Sequence, residues 1–402
     1  MLKLVISEFF TNVAKGLFTL ALGMMLYELT DSVLAFALAF TSEFVFSLLL
    51  QGFSGSFVDR YSPKRVLVIN AALISAVFLA VVGLTWSQVS LPAGLLFGLA
   101  LVINFCRPFF RAATFAIVPE VVSSDQYEKI NSYISIALQV GQIVGMVLAG
   151  VLLELASMHA VITCVGGCYL LSLVGYWQLK PKGLDKTSNQ VAKASWKTVF
   201  DFIKKSPFVM GVYIIGALDF AFIGLFNLML APVVRRNYDS AERWLTILDM
   251  SFAAGAILAG FYIVKRKQKL GIRLDMTVLS IMAAGLTFVA FWLQFPDIVV
   301  ITLIALFGGF LTMSTVVWST TLQQISPPQI KGRLASIKLV CNSFFITVST
   351  LGASALNRNG FEASLGFSVV CACIAMVIAV GVYTMAQNSF GFRNYKLSQD
   401  VS

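Results

Sequence analysis

The chain alternates between long runs of apolar residues and short polar segments, and this alternation is its main structural signal. A helix that crosses a bilayer needs about 20 mostly apolar residues, and most of the runs reach that length. Proline-containing pairs such as Ser62-Pro63 and Pro327-Pro328 stand in the polar segments, where turns are expected. The pattern predicts an all-α membrane protein with 12 transmembrane helices. Their predicted limits are 5–28, 32–56, 65–86, 91–117, 128–154, 158–179, 207–232, 243–264, 273–294, 298–321, 334–356 and 363–386.

The composition agrees with this assignment and removes several soluble classes. Of the 402 residues, 58% are hydrophobic and 12% are charged, and the mean hydropathy is +0.86. Soluble domains carry roughly 25% charged residues. The shortage of charge excludes a soluble globular enzyme, a disordered protein and a soluble nucleic-acid binder. We therefore expect the lipid bilayer as the surroundings and no nucleic acid as a partner.

The net charge of +10 reflects an uneven distribution of basic residues. With the N-terminus inside, 22 of the 29 Lys and Arg residues fall in predicted cytoplasmic segments and four fall in outer loops. Basic residues concentrate in the cytoplasmic loops of membrane proteins. The distribution predicts that both termini are cytoplasmic, as an even number of spans requires.

A polar segment near the middle divides the predicted helices into two groups of six. Residues 181–206 are rich in lysine, and Trp196 and Phe202 within them indicate an amphipathic surface helix. We expect residues 1–180 and 207–402 to form two six-helix bundles, joined by a cytoplasmic linker at 181–206.

A faint internal repeat supports the same division. A shift of 204 residues lays residues 129–132 over residues 333–336, and it lays Lys15 over Asp219. Two parallel halves related by an axis along the membrane normal are a known transporter plan. We therefore expect the two bundles to be pseudo-symmetric, with Lys15 and Asp219 at matched depth.

Nothing in the sequence indicates a cofactor, a metal site or an enzyme. The six cysteines lie in apolar runs, which is typical of free buried thiols. The single histidine, His159, has no neighbouring cysteine that could complete a zinc site. The phosphate-binding loop of nucleotide-driven motors is also missing from the sequence. We expect no cofactor and no metal.

The segment after the second predicted helix carries the most specific motif. It reads Gly-Ser-Phe-Val-Asp-Arg-Tyr-Ser-Pro-Lys-Arg from Gly55 to Arg65. It resembles the G-x-x-x-D-R-x-x-R/K signature of the major facilitator superfamily, in the position that the family gives it. The resemblance implies that family's fold, a monomer in a bacterial inner membrane, and alternating access to a small-molecule site. It also implies a conformational gate, whose candidate residues are Gly55, Asp59, Arg60, Lys64, Arg65 and Arg111.

A second stretch resembles one exporter branch of the family, which includes siderophore exporters of the enterobactin type and macrolide efflux proteins. The residues that carry this likeness are 107–112, 117–119 and 131–132. The fifth predicted helix carries Gly141 and Gly145, which are similar to the family's antiporter motif, with Met146 where a proline is usual. Export is therefore implied by this second stretch rather than by the antiporter motif.

A physical role for Asp59 follows independently of the resemblance. It stands where one predicted helix ends and the next begins, and a carboxylate near a helix N-terminus is stabilised by the exposed N–H groups and the dipole. It can also pair with a basic side chain at the inner end of another helix, such as Arg111. Such a pair can form in one conformation and break in the other. The alternative is a static anchor of the loop.

Polar residues inside the predicted spans are the candidates for binding and coupling. A charge at the centre of a membrane helix costs at least about 2.5–3.5 kcal/mol, so it normally faces a cavity or a partner. Single-face stripes occur on the first helix at Glu8, Asn12, Lys15 and Thr19, and on the fourth at Asn104, Arg107, Arg111 and Thr114. In the resembled family, helices one, four, seven and ten line the central cavity.

The fifth helix adds Gln139, and Asp219 and Asn227, eight residues apart, share one face of the seventh. With Glu43 inside the second span and Asp249 toward the outer end of the eighth, these positions give two sets of candidate residues. The substrate set is Lys15, Asn12, Arg107, Asn104, Gln139 and Asn227. The proton-coupling set is Asp219, Glu43, Asp249 and Glu8. The alternative is permanent ion pairing, of Lys15 with Glu43 or Asp219, that fixes the packing of the helices.

Three functions are compatible with these patterns. The first is a proton-coupled exporter of a small hydrophilic organic molecule, for which a carboxylate-bearing siderophore is the leading candidate. The second is a multidrug or macrolide exporter of the same architecture, in which Asp219 and Glu43 bind lipophilic cations. The third, a membrane enzyme or a sensor scaffold, has no supporting motif in the sequence.

Overall fold

The computed structural model is helical in every regular element that it describes. The described residues are 1–30, 33–85, 91–156, 158–181, 196–205, 207–238, 241–266, 275–327, 329–356 and 361–388. Twelve long helices lie within these ranges: α1 (Leu2–Thr30), α2 (Val33–Tyr61), α3 (Pro63–Thr85), α4 (Ala93–Val121), α5 (Tyr127–Leu155), α6 (Met158–Trp177), α8 (Pro207–Asn237), α9 (Ala241–Lys265), α10 (Asp275–Trp292), α11 (Asp297–Ile325), α12 (Lys331–Leu356) and α13 (Phe361–Asn388). The helix α7 (Trp196–Lys205) is short. The prediction of 12 membrane helices is thus consistent with the fold.

Most of the long helices are suited to a bilayer. Within the described residues, eleven of them are long and apolar enough to cross a membrane by length and composition. The twelfth, α2, has 29 residues and carries the charged residues Glu43, Asp59 and Arg60. A helix of that length is roughly 43 Å long at 1.5 Å per residue, whereas the hydrocarbon core is about 30 Å thick. The helix α2 therefore extends beyond the apolar run 32–56 from which it was predicted.

The predicted amphipathic helix of the linker is present as α7. Val199 is buried, while Lys197 and Asp201 are exposed. An apolar stripe opposite a charged face suits a helix that lies along a surface. Residues 182–195, the rest of the predicted linker, lie outside the described residues.

The chain divides into two compact units. The first unit is Met1–Ala194 with Gln323–Val340, and the second is Ser195–Leu322 with Cys341–Ser402. The first unit thus includes the end of α11 and the start of α12. The predicted bundle limits of 1–180, 181–206 and 207–402 remain a prediction.

In the first unit, α1 packs closely against α5. A Cβ atom at Gly16 would meet the backbone oxygen of Gln142, and one at Gly145 would meet that of Val13. Small residues at such spacing let two membrane helices approach at backbone distance. The glycines that resemble an antiporter motif therefore have a packing role, and they position the polar face of α1.

In the second unit, aromatic side chains fill the space between α8, α9 and α11. The rings of Phe226, Phe252 and Phe307 lie with centroids 5.4–5.9 Å apart, within a larger buried core. A Cβ atom at Gly255 would meet the backbone oxygen of Ala305, so α9 and α11 also touch through their backbones. The described buried polar residues of this unit are mostly Ser and Thr, so the buried carboxyl of Asp219 is distinct among them.

Candidate functional site

The polar stripe of α4 faces α2 and α1. Asn104 Nδ2 donates to the backbone oxygen of Ala39 at 3.0 Å and to Ser42 Oγ at 2.8 Å. Arg107 and Arg111, further along the same face, both contact α2, and Thr114 contacts α1. The prediction of a single polar face on α4 is confirmed by these contacts.

Three cations meet one carboxylate at Glu43. Arg107 Nε lies 2.6 Å from Glu43 Oε1, and Arg111 Nη2 donates to the same oxygen at 3.0 Å. Lys15 Nζ lies 3.8 Å from Glu43 Oε2. The side chains of Glu43 and Arg107 are each 13% exposed. We call these four residues the Glu43 cluster; its formal charge is two positive.

The contacts of the Glu43 cluster can be compared with two ion pairs that were considered from the sequence. The pairing of Lys15 with Glu43, which was the alternative to a transport role, is present in this conformation. The expected pairing of Arg111 with Asp59 is not formed in this conformation, where Arg111 contacts Glu43, and it stays a prediction for the other conformation. Arg107 and Arg111 are four residues apart on one helix, so they face the same partner.

A small cavity adjoins the cluster. Its volume is about 40 Å³, and the residues that line it are Lys15, Phe18, Thr19, Leu22, Ala39, Glu43, Ala100, Ile103, Asn104 and Arg107. A cavity needs about 10–15 Å³ to hold one water, so this one admits water, but no organic substrate while Glu43 keeps its place. Of the predicted substrate set, Lys15, Asn104 and Arg107 are brought together here, whereas Asn12 and Gln139 are not among its lining residues.

Glu8 on α1 contacts Thr114, the last residue of the polar stripe on α4. It is 2% exposed, and its Oε1 accepts hydrogen bonds from Thr114 Oγ1 at 2.9 Å and from the Tyr176 hydroxyl at 3.3 Å. Asn12 Nδ2 donates to the Glu8 backbone oxygen at 2.8 Å, so its amide is used within α1. Glu8 therefore has hydroxyl partners, while no basic group pairs with it among the residues described.

Asp219 is the buried carboxyl of the second unit. It lies on α8, is 2% exposed, and has Ser280 on α10 and Ser314 on α11 as hydroxyl-bearing neighbours. Its Oδ1 has no hydrogen-bond partner in the part of the chain that the structure describes. A buried carboxyl without a basic partner is stable mainly in its neutral form.

The other two candidates of the second unit differ from Asp219. Asn227 and Asp249 are both exposed. Asn227 was predicted to share one face with Asp219, but the structure places the two side chains in different surroundings. The predicted matching of Lys15 and Asp219 concerns both units and remains a prediction.

Asp59 of the gate motif caps the N-terminus of α12. Its Oδ1 accepts from the Gly332 amide at 2.7 Å, and its Oδ2 accepts from the Arg333 amide at 3.2 Å and from Arg333 Nη1 at 3.3 Å. The first N–H groups of a helix have no partner within it, and a carboxylate is favoured there. The expected stabilisation by a helix N-terminus is thus found, but the helix is α12 and not α3.

Two glycines allow this contact. A Cβ atom at Gly332 would lie 2.6 Å from the Gly55 oxygen and 2.7 Å from Asp59 Oδ1. Because these distances are shorter than real Cβ contacts, a larger residue would separate α2 from α12. Gly55, a predicted gate residue, therefore contributes by allowing the backbones of α2 and α12 to approach closely.

The remaining basic residues of the motif point elsewhere. Arg60 is exposed and lies over the ring of Tyr61, with its guanidinium carbon 5.5 Å from the centroid. Lys64 Nζ donates to the backbone oxygen of Leu179 at 2.6 Å, beyond the end of α6. Arg65 is exposed. The residues predicted to form one gate thus lie at different places in the structure. Of them, Gly55 and Asp59 lie at the contact with α12.

A set of hydrogen bonds that joins α11 to α4 and α5, which we call the Gln323 junction, was not predicted from the sequence. Gln323 Nε2 donates to the Phe115 backbone oxygen at 3.0 Å, and Asn131 Nδ2 donates to Gln323 Oε1 at 2.8 Å. Pro119 has no N–H group to bond the oxygen four residues before it, which is that of Phe115. The proline was a visible signal that this oxygen needs another donor.

Lys338 was also missed. It was counted as cytoplasmic, although it lies inside the predicted span 334–356. In the structure it is 8% exposed, and its Nζ lies 5.8 Å from the centre of the Phe115 ring. Its position seven residues after the start of α12 was the signal that it belongs to the membrane part.

Comparison with known proteins places this fold in one family. The family model described as Major Facilitator Superfamily matches residues 4–350. An MFS-type transporter of Bacillus subtilis, YjbB, is 22% identical over 389 residues, which cover 94% of each chain. The enterobactin exporter EntS of Citrobacter koseri is 22% identical over 388 residues, which cover 94% of this chain and 90% of the exporter.

Solved structures agree with this assignment at the level of the fold. A bacterial homologue of the iron transporter ferroportin, in an outward-facing state, has a TM-score of 0.71 at 15% identity, with 95% of this chain and 98% of that chain covered. The proton:xylose symporter XylE has a TM-score of 0.74 at 13% identity, with 96% and 95% covered. These proteins are transporters and not enzymes. Because the family match spans most of the chain and the helices follow the same fold, the chain belongs to the major facilitator superfamily of membrane transporters.

Proposed function

We propose that this transporter is a proton-coupled exporter of a small hydrophilic organic anion, with a carboxylate-bearing siderophore as the leading candidate. The observation that carries the proposal is the Glu43 cluster, in which Lys15, Arg107 and Arg111 surround a single carboxylate. Intramembrane charges face partners or substrate pathways, because exposure to lipid is costly. The likeness to the enterobactin exporter supports a siderophore as the substrate.

Proton coupling is assigned to carboxyl groups that lack a basic partner among the described residues. Glu8 and Asp219 are both 2% exposed and have hydroxyl neighbours. Such a group carries a proton while buried and releases it when water or a cation reaches it. Glu43, which was also predicted to carry protons, serves in this conformation as the counter-ion of the cluster. Asp249 is exposed, so it is a candidate for proton coupling at the protein surface.

The contact between Asp59 and α12 supplies the conformational element of the proposal. It joins a carboxylate, two backbone amides and a guanidinium, so it is either formed or broken rather than gradually weakened. In the proposed cycle it holds one state of an alternating-access transporter and breaks in the other.

Flux measurements in reconstituted vesicles test the proposal. A labelled carboxylate siderophore should cross the membrane when a proton gradient is imposed, and the flux should collapse when the gradient is dissipated. Lys15→Met should reduce substrate flux, whereas Glu8→Gln and Asp219→Asn should abolish its dependence on the gradient. Flux that continues unchanged without a gradient would refute the coupling.

A multidrug or macrolide exporter is the second candidate. The observation that favours it is Asp219, a buried carboxyl without a basic partner in the described part of the second unit, which would attract a lipophilic cation. A drug-susceptibility panel in an efflux-deficient strain separates the two functions. Protection against lipophilic cations that depends on Asp219, but not on Lys15 or Arg107, would favour this candidate.

The protein is a multi-pass inner-membrane protein, and we propose that it is a monomer with both termini in the cytoplasm. The concentration of basic residues in the predicted inner segments supports this orientation. At the C-terminus, a fused reporter that works only in the cytoplasm should be active, and one that works only outside the cytoplasm should be inactive. Light scattering of the purified protein should give the mass of one chain.

A further inference from the structure

The Glu43 cluster holds more positive charge than its own packing requires. Lys15, Arg107 and Arg111 bring three charges to the one carboxylate of Glu43. Among the described residues, no other carboxylate lies within ion-pair distance of these three side chains. A single Arg–Glu pair would join α4 to α2, and each further partly buried cation adds a desolvation penalty. The surplus of two charges therefore needs an explanation other than packing.

The two oxygens of Glu43 are held unequally. Oε1 receives two short contacts, at 2.6 Å from Arg107 and 3.0 Å from Arg111. Oε2 lies 3.8 Å from Lys15 Nζ, beyond hydrogen-bond range. The cavity of about 40 Å³ is lined by Lys15, Glu43 and Arg107. The side of the cluster at Lys15 is thus the more weakly bonded one, and it is open to water.

We infer that Glu43 is a tethered competitor that occupies the place of the substrate's own anionic group, and that the substrate carries at least two negative charges. The inference rests on the proposed function, because it takes the Glu43 cluster as the substrate site. A ligand with one negative charge merely replaces Glu43 and leaves two positive charges uncompensated. A ligand with two or three negative charges leaves one or none.

Asn104 offers the ligand only its amide oxygen, because its Nδ2 group donates to both Ala39 and Ser42; this oxygen accepts from a hydroxyl or N–H group of the ligand and not from a carboxylate. Asn104 lines the same cavity, and its amide is fixed by Ala39 and Ser42 on α2. A polar group held in place in this way contributes orientation at little further entropic cost. The ligand class that fits is a small organic polyanion with carboxylate or similar acidic groups.

Thermal unfolding of the full-length purified protein tests this inference without transport. The probes are acetate, succinate and citrate at equal ionic strength and neutral pH, with chloride as the reference. Wild-type protein should be stabilised by citrate and succinate but not by acetate. In Glu43→Gln the concentration for half-maximal stabilisation should fall by at least about tenfold, because a close competing charge is removed. Acetate should now stabilise this variant as well.

Two variants separate competition from a general effect. Glu362→Gln removes the carboxylate of another Glu–Arg pair, with Arg236 at 2.7 Å, and should leave the anion response unchanged. Lys15→Met in the Glu43→Gln background should abolish the gain. Glu43→Asp, which has a shorter side chain, should give an intermediate response and replaces Glu43→Gln if that variant does not fold.

The possible results are distinct. Equal half-maximal concentrations in wild type and Glu43→Gln would overturn the inference, and so would acetate acting as well as citrate on the wild type. Proton-driven flux together with an unchanged anion affinity in Glu43→Gln would leave the proposed function standing and refute the role of Glu43 as a competitor. A clear gain together with flux that ignores the proton gradient would support the competitor and refute the coupling.

Discussion

Replacing Asp59 by Asn should expose the first amides of α12 to exchange with water. The variant keeps the size of the side chain and one acceptor oxygen, but it loses the negative charge. In the structure that charge meets the Gly332 and Arg333 amides at 2.7 and 3.2 Å and the Arg333 guanidinium at 3.3 Å. The Asp59 side chain is 3% exposed and that of Arg333 is 12% exposed, so solvent screens the pair little.

The magnitude follows from these contacts. A hydrogen bond to a charged group contributes about 1.5–3 kcal/mol, and an anion at a helix N-terminus contributes about 0.3–2 kcal/mol. Allowing for the acceptor that Asn retains, the contact should lose about 2–4 kcal/mol. Since about 1.4 kcal/mol corresponds to a factor of ten, protection of these amides should fall by roughly 30- to 1000-fold.

Hydrogen–deuterium exchange read by mass spectrometry measures this directly, because protection reports the free energy of local opening. The peptide to follow begins at Lys331, and Asp201→Asn on the exposed face of α7 is the matched control. Arg333→Gln should give a smaller loss, since it leaves the two amide bonds in place. A loss below about threefold in Asp59→Asn would refute the claim that this carboxylate holds the start of α12.

Three further predictions concern packing and coupling. Gly16→Ala should destabilise the protein by about 1–3 kcal/mol, because the new methyl group meets the backbone of Gln142, whereas Gly98→Ala has open space and should be near neutral in thermal unfolding. Gln323→Leu removes a buried hydrogen bond of 2.8 Å and a partly buried one of 3.0 Å, and should cost about 1–3 kcal/mol in the same assay; an unchanged melting temperature would show that the junction is not structural. Thr114→Val removes a hydroxyl donor to the buried carboxyl on α1 and should weaken proton-driven flux while citrate stabilisation is unchanged; loss of the citrate response would contradict this separation of roles.

The helices and the polar stripes were predictable because both depend on local periodicity. Apolar runs of bilayer length give the number of helices, and the spacing of Asn104, Arg107, Arg111 and Thr114 gives one face of α4 without any tertiary information. The spacing also explains the contact that Arg111 makes in this conformation. A residue four positions after Arg107 shares its face and hence its partner Glu43, whereas the pairing with Asp59 was inferred from opposite charge and from position at the inner end of a helix.

The partners across helices were not predictable in the same way. The sequence indicates that Asp59 favours a helix N-terminus, but several helices begin on the predicted inner side, and nothing local selects α12 over α3. The choice depends on Gly55 and Gly332, whose importance becomes clear only when two backbones meet. Pro119 likewise marks an oxygen that needs a donor, but it does not indicate that Gln323 supplies it.

One helix face links the two proposed tasks of the transporter. Arg107 and Arg111 hold Glu43 of α2, and Thr114, three residues further along α4, holds Glu8 of α1. From Arg107 to Thr114 the rise is about 10 Å, or two helical turns, and Pro108 lies inside this stretch of α4. In the proposed cycle, a movement of α4 that releases Glu43 to make room for a substrate anion also displaces the hydroxyl that bonds Glu8. Anion binding at one end of the stripe and proton binding at the other would then be linked through the same helix, without a separate coupling element.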